Sequence, residues 1–217
     1  MFLFGHSCWS YLASRATSRK LKVDLSLYLA FLARILPDFD IYFQTLLGYP
    51  LHHTYTHSPL VLGPISLVLA YRFRRLGVAF STGLLSHLLT DGIVGTVPLP
   101  LPVSTMEVGL HLGVPLLWDI LLELGALGVV LIYIILNRDW KQLRHSKREG
   151  LKLSVPLFAI VSLSLIFAGD NNIHLIDLAF SRKALPAISV GHIILGAIFA
   201  IGIFQGLGTI YREGHRE

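Results

Sequence analysis

Long apolar stretches alternate with short polar or basic breaks along the whole chain. The main ones cover 58–71, 78–97, 114–136, 153–168 and 187–211. A membrane-crossing helix needs about 20 mainly apolar residues, with a range of roughly 17–25. On that measure the pattern predicts six to seven membrane segments, near 1–16, 23–37, 58–72, 77–96, 113–137, 152–169 and 186–210. The first two are short, and 41–49 reads as an extra interfacial or re-entrant piece. The expected fold is all-α, a polytopic transmembrane helical bundle. It forms one membrane domain over 1–217, with the polar motifs in 1–123 and additional transmembrane helices in 124–217.

Composition agrees with this pattern. Hydrophobic residues make up 53% of the 217 and charged residues 14%, with a mean hydropathy of +0.65. A soluble domain carries roughly 25% charged residues. The single cysteine, Cys8, excludes an intrachain disulfide. Met1–Tyr11 is apolar but lacks a basic leading region and is interrupted by His6, so it is not read as a signal peptide.

The net charge of +5 would suit a nucleic-acid partner, but the distribution of the charges points elsewhere. An alternating path through the segments collects Arg15, Arg19, Lys20, Lys22, the 72–75 group, the 138–152 group, Arg212 and Arg216 on one side. Arg182 and Lys183 fall on the other side, and Arg34 lies within a segment. The positive-inside rule puts the basic set in the cytoplasm. The N-terminus is then outside, the C-terminus is cytoplasmic, and no nucleic-acid partner is expected.

Ionisable groups in or beside the spans are costly in hydrocarbon and face a partner or a wet cavity. Four clusters have spacings that chemistry can use. In Leu36–Asp40, "LPDFD", Pro37 is expected to end a helix. Asp38 and Asp40 point the same way if extended, and one of them faces inward if helical. In "HHTYTHS", His53 and His57 share a face if helical, His52 needs a loop, and Ser58 can cap the helix that follows. In "SHLLTD", His87 and Asp91 are four apart on one helical face. In "WDILLE", Asp119 and Glu123 are also four apart, and two such carboxylates need a proton, an arginine or a cation. The alternatives are a helix stop with solvated acids, an interfacial belt, a hydrogen-bonded core pair, and a carboxylate paired with Arg34.

Depth indicates whether the clusters can meet. At about 1.5 Å per residue, His87 lies about 15 Å up from Gly77, and Glu123 about 14 Å below Val114. His6, Asp38, Asp40, His52 and His57 fall near outer ends of their segments. The expectation is an outward-opening polar funnel. Mixed imidazole and carboxylate ligands without thiolate suit zinc, with manganese or iron as alternatives. The surplus of donors predicts more than one ion and hydrolytic chemistry on a phosphoester.

Gly5–His6, "LPDFD", "HHTYTHS", "SHLLTD" and "GVPLLWDILLE" occur in an order that resembles the YdjM-like family of membrane-bound metal-dependent hydrolases. That family reads GH, LPDxD, HRxxTHS, SHxxxD and a VPLLWP-like stretch, and is distantly similar to the zinc-dependent phospholipase C and single-strand nuclease superfamily. The motifs span 5–123. The resemblance implies His6, Asp38, Asp40, His52, His57, His87 and Asp91 as metal ligands, with Asp119 and Glu123 as additions. His53 stands where the family has arginine. A phosphate-binding role therefore falls to His53 or is compensated by Arg34.

The function expected is a membrane-embedded metal-dependent hydrolase using metal-activated water on a phosphoester of a membrane lipid or lipid-linked substrate. Asp38, Asp40 or Glu123 would serve as general base. The alternative is a non-catalytic metal or proton carrier, which should show polar residues continuing to the cytoplasmic side. His145 and His215 read as solvated, His174 as an outer-loop residue and His192 as a packed histidine. His111 lies near the expected mouth.

Overall fold

A computed structural model describes residues 3–52, 54–98, 106–110, 116–144, 147–169 and 175–215. The helices are α1 (Leu3–Lys20), α2 (Leu27–Leu32), α3 (Asp40–Leu47), α4 (Pro59–Val94), α5 (Leu116–Leu136), α6 (Asp139–Arg144), α7 (Ser154–Gly169) and α8 (Leu175–Gly214). Three 3-10 turns cover Pro37–Phe39, Tyr55–His57 and Lys147–Leu153. A short antiparallel ladder pairs β1 (Val97–Pro98) with β2 (Glu107–Val108), Val97 opposite Val108.

Among the described residues, two helical runs are long and apolar enough to cross a membrane by length and composition, Pro59–Val94 and Ser189–Glu213. Ile120–Leu136 is a shorter apolar helix. The reading of 23–37 as a membrane-spanning helix is corrected. Only Leu27–Leu32 of it is α-helical, about 9 Å of rise. A turn and then Pro37, at the first position of its 3-10 turn, break the run.

α4 is two arms, not one rod. Arg74 has φ 52 and ψ −128 within the helical run. Ser81 Oγ donates to the Ser66 carbonyl at 3.2 Å, a pair that a continuous helix would hold about 22 Å apart. The carbonyl of Leu69 lies so near Gly77 that a Cβ there would come within 1.9 Å of it. Arms 59–73 and 75–94 therefore run antiparallel, as the separate segments 58–72 and 77–96 predict. Ser58 starts the first arm by accepting from the Leu60 amide at 3.2 Å, with Pro59 at a first-turn position where its missing N–H costs nothing.

α1 is the hub, packing against α4, α5 and α2. Phe4, Cys8 and Tyr11 enter the main apolar core with Phe31, Val130, Leu163 and Phe199. Ser7, Ser10, Ser14 and Ser18 line buried positions of α1. Small residues let backbones approach closely. A Cβ at Gly83, on the second arm of α4, would sit 2.0 Å from Ser14 Oγ, 3.0 Å from Ala33 Cβ and 3.1 Å from Ser10 Oγ. One turn beyond this contact on each helix lie His87 and His6, their rings stacked at 4.7 Å.

The opposite end of α1 is held by a buried ion cluster. Arg15 grips Asp139 with two nitrogens, at 2.8 and 2.5 Å. Tyr11 donates to the same carboxylate at 2.7 Å and Arg19 at 3.0 Å. Arg15 also donates to the Leu25 carbonyl at 2.8 Å. The cluster ties the start of α6 to α1. Charge counting marks Arg15 and Arg19 as orientation signals, and periodicity carries no trace of their partner.

Candidate metal centre

Four polypeptide segments converge on the site. α1 supplies His6. The Pro37–Phe39 turn and the first residue of α3 supply Asp38 and Asp40. The loop and turn that end at His57 supply His52 and His57. The second arm of α4 supplies His87 and Asp91. α3 ends at Gly48, which takes the left-handed conformation, φ 69, that stops a helix at low cost. Gln44 Oε1 then accepts from the amides of Leu51 and His52 at 3.0 and 2.9 Å, fixing the loop that carries His52. The sequence alone does not single out Gln44, because a glutamine on a short helix gives no signal of where its side chain turns.

The two aspartates follow neither of the arrangements expected for them. Both are helical in backbone, yet both reach His57, because that ring lies between them. His57 Nε2 is 3.3 Å from Asp38 Oδ1, and its Nδ1 is 3.4 Å from Asp40 Oδ2. Asp40 Oδ1 is 3.0 Å from His52 Nδ1, and Thr56 donates its hydroxyl to Asp40 Oδ2. His87 Nε2 is 2.8 Å from Asp91 Oδ2 and 3.6 Å from Asp38 Oδ1. His6 Nε2 lies 4.0 Å from Asp38 Oδ2.

Among the described residues these atoms form three groups, each with its donors within 4.8 Å of one another: His6, His87 and Asp91; Asp38, His57 and His87; Asp40, His52 and His57. Ligands at about 2.0–2.1 Å around a tetrahedral zinc stand about 3.3 Å apart, so the spacing suits a small divalent ion. The chemistry of the set fits as well. His6 Nδ1, Asp38 Oδ2 and His87 Nδ1 are buried without a hydrogen-bond partner, a costly condition.

Asp38, Asp40 and His57 lie in the 37–57 connection, outside the spans. Burial opposes charge on Asp40, yet bonds from His52, His57 and Thr56 hold it down to about 2. Burial likewise favours neutral His57, but its bonds to Asp38 and Asp40 outweigh that and raise it to about 9. A ligating histidine must be neutral, so an ion entering here displaces a proton.

Glu123 and Arg34, also expected at the site, border the cluster from other directions. Glu123 is fully buried against Gly5 of α1, where a Cβ would meet its Cγ at 2.6 Å, and it joins none of the three groups. Arg34, expected to bind substrate phosphate, is fully buried. Its guanidinium reaches Asp91 Oδ1 at 3.4 Å, and Glu123 lies within its electrostatic range. His192 packs edge-on to Phe4 at 5.1 Å, and His215 is exposed beside Tyr211. His53, His111, His145, His174 and the side chain of Asp119 lie outside the described residues.

The donors lie deeper than the funnel lining expected of them. The donors are buried except His52, whose side chain is 17% exposed. Exposed Leu46, Leu47, Tyr49 and Tyr55 stand on the same stretch of chain.

These features define a helical protein with apolar helices of membrane-crossing length and a buried His–Asp cluster able to hold a divalent ion. The family model of the YdjM inner membrane protein matches residues 1–173. The chain belongs to that family. No curated protein and no solved structure matches it.

Proposed function

We propose that this chain is a multi-pass membrane hydrolase that depends on a divalent metal, most simply zinc, and cleaves a phosphoester of a lipid or lipid-linked substrate. The observation that carries the reading is the convergence of buried imidazole and carboxylate groups, among which His6 Nδ1, Asp38 Oδ2 and His87 Nδ1 have no hydrogen-bond partner. When bound, a divalent ion supplies a Lewis acid for a phosphoryl oxygen and lowers the pKa of water.

The chain's own groups divide the remaining work. Asp91 is held by Arg34 on one oxygen and offers the other to the cluster. The hydrogen-bonded His52–Asp40 pair reaches the surface and is placed to exchange a proton with an entering substrate. The general-base role, expected on Asp38, Asp40 or Glu123, therefore moves to His52 backed by Asp40. The apolar and aromatic residues beside His52 suit a substrate whose chains stay in the bilayer while its headgroup enters. In this reading the site opens extracytoplasmically and the basic loops face the cytoplasm.

The test is elemental analysis of detergent-purified protein, followed by assay on a panel of phospholipids and lipid phosphates with and without chelator. The expected result is stoichiometric metal, and turnover lost on chelation and in His87→Ala. Turnover that survives both would sink the hydrolase reading.

One observation favours the carrier reading. The buried serines of α1 continue from the site toward Arg15 and Asp139, so the inner half of the bundle is not wholly apolar. Against it, Gly83 is packed onto Ser10 and Ser14 with no room for even a methyl group. Metal uptake into proteoliposomes would decide for the carrier.

A further inference from the structure

The three donor groups overlap, and the overlap limits how they fill. A neutral imidazole has one lone pair for a metal, and its other nitrogen carries a proton. His87 presents the same atom, Nε2, to Asp91 and to Asp38. The two groups that share His87 therefore make one pocket around one point. His57 instead turns Nε2 toward Asp38 in that pocket and Nδ1 toward Asp40 outside it. It can serve a metal with one of them.

Hydrogen bonding separates the two halves. His87 Nε2 faces two carboxylates, Asp91 at 2.8 Å and Asp38 at 3.6 Å, while His6 Nδ1, Asp38 Oδ2 and His87 Nδ1 lack hydrogen-bond partners. All three residues are more than nine-tenths buried. The outer half satisfies itself: Asp40 is bonded to His52 and Thr56, and Thr56 to His57 Nδ1 at 3.0 Å. Asp91 is likewise committed on Oδ1, where Arg34 holds it.

Resting on the metal reading above, we infer that the site holds one ion, bound by His6, Asp38, His57, His87 and Asp91, while Asp40 is a positioning residue that orients His57. Asp40 stands behind His57 as Arg34 stands behind Asp91. Carboxylates that orient a ligating histidine raise its basicity and fix its tautomer. The expectation of more than one ion, read from the surplus of donors, is thereby replaced.

The experiment is cobalt and zinc titration of the full-length protein in detergent, read as ions bound per chain and as the cobalt absorption band. Wild type is expected to saturate at one ion. Asp40→Asn is expected to bind one ion as well, about 10–100-fold more weakly. Asp40→Glu should recover part of that loss, and Asp38→Asn and His87→Gln should bind none. Thermal unfolding of the metal-free forms checks that each variant is folded. Two ions on wild type, or loss of one whole ion in Asp40→Asn, would overturn the inference and leave the hydrolase reading intact. No binding by wild type would overturn both. One ion with no turnover on any phosphoester supports the inference and counts against the hydrolase reading.

Discussion

The contact between Gly83 and α1 sets the distance between His6 and His87, so filling it should disturb the site without touching a donor. Replacing Gly83 with alanine puts a Cβ 2.0 Å from Ser14 Oγ, where 3.4 Å is the start of ordinary contact. The shortfall is about 1.4 Å, and Ala33 Cβ at 3.0 Å and Ser10 Oγ at 3.1 Å block a sideways escape. Ser14 can rotate away in part, so α1 and α4 should separate by about 1 Å at a cost of about 1–3 kcal/mol. Metal ligands tolerate errors of about 0.2 Å, so metal affinity should fall by about tenfold or more. Metal titration and thermal unfolding in detergent read the two effects. Adding Ser14→Gly removes the clashing hydroxyl and should restore most of both. Unchanged affinity in Gly83→Ala, or a double variant as weak as the single one, would refute the claim that this packing positions the site.

Three further outcomes are expected. His57 is raised to about 9 in the folded protein from 6.5 when free, so its contribution to the stability of the metal-free form is fully present below about pH 6.5. That contribution is lost as pH rises through about 9, whereas metal affinity should increase over the same interval as the competing proton leaves. Unfolding and metal titration at pH 6, 7.5 and 9 should move in opposite directions, and parallel trends would contradict the assignment. Asp139→Ala leaves Arg15 buried without its carboxylate and should cost about 3–5 kcal/mol, seen as a large drop in resistance to thermal or detergent unfolding. Arg74→Gly removes a side chain from a backbone conformation at φ 52 that glycine adopts freely, and should raise stability by about 1 kcal/mol in the same assay.

Much of this protein is readable in one dimension. Apolar runs broken by basic loops give helices, and four-residue spacing gives the shared face of His87 and Asp91. Pro37 and Ser58 mark where helices stop and start. These are local properties, set by backbone sterics and helical period within a few residues. The identity of the clustered residues was legible for the same reason, since polar groups in an apolar run stand out without knowledge of their neighbours.

Their pairing was not legible. Asp119 and Glu123 have the same spacing as His87 and Asp91, yet tertiary packing sets Glu123 against Gly5, and it joins none of the three donor groups. Arg34 reads as a phosphate binder in the chain and lies against Asp91 in the fold. The long-range bond between Arg15 and Asp139 leaves no periodic signal at all. How closely His6 approaches His87 depends on the distance between α1 and α4, where side chains at Ser10, Ser14 and Ala33 press on Gly83. A sequence specifies those residues one at a time, and only the folded chain brings them into contact.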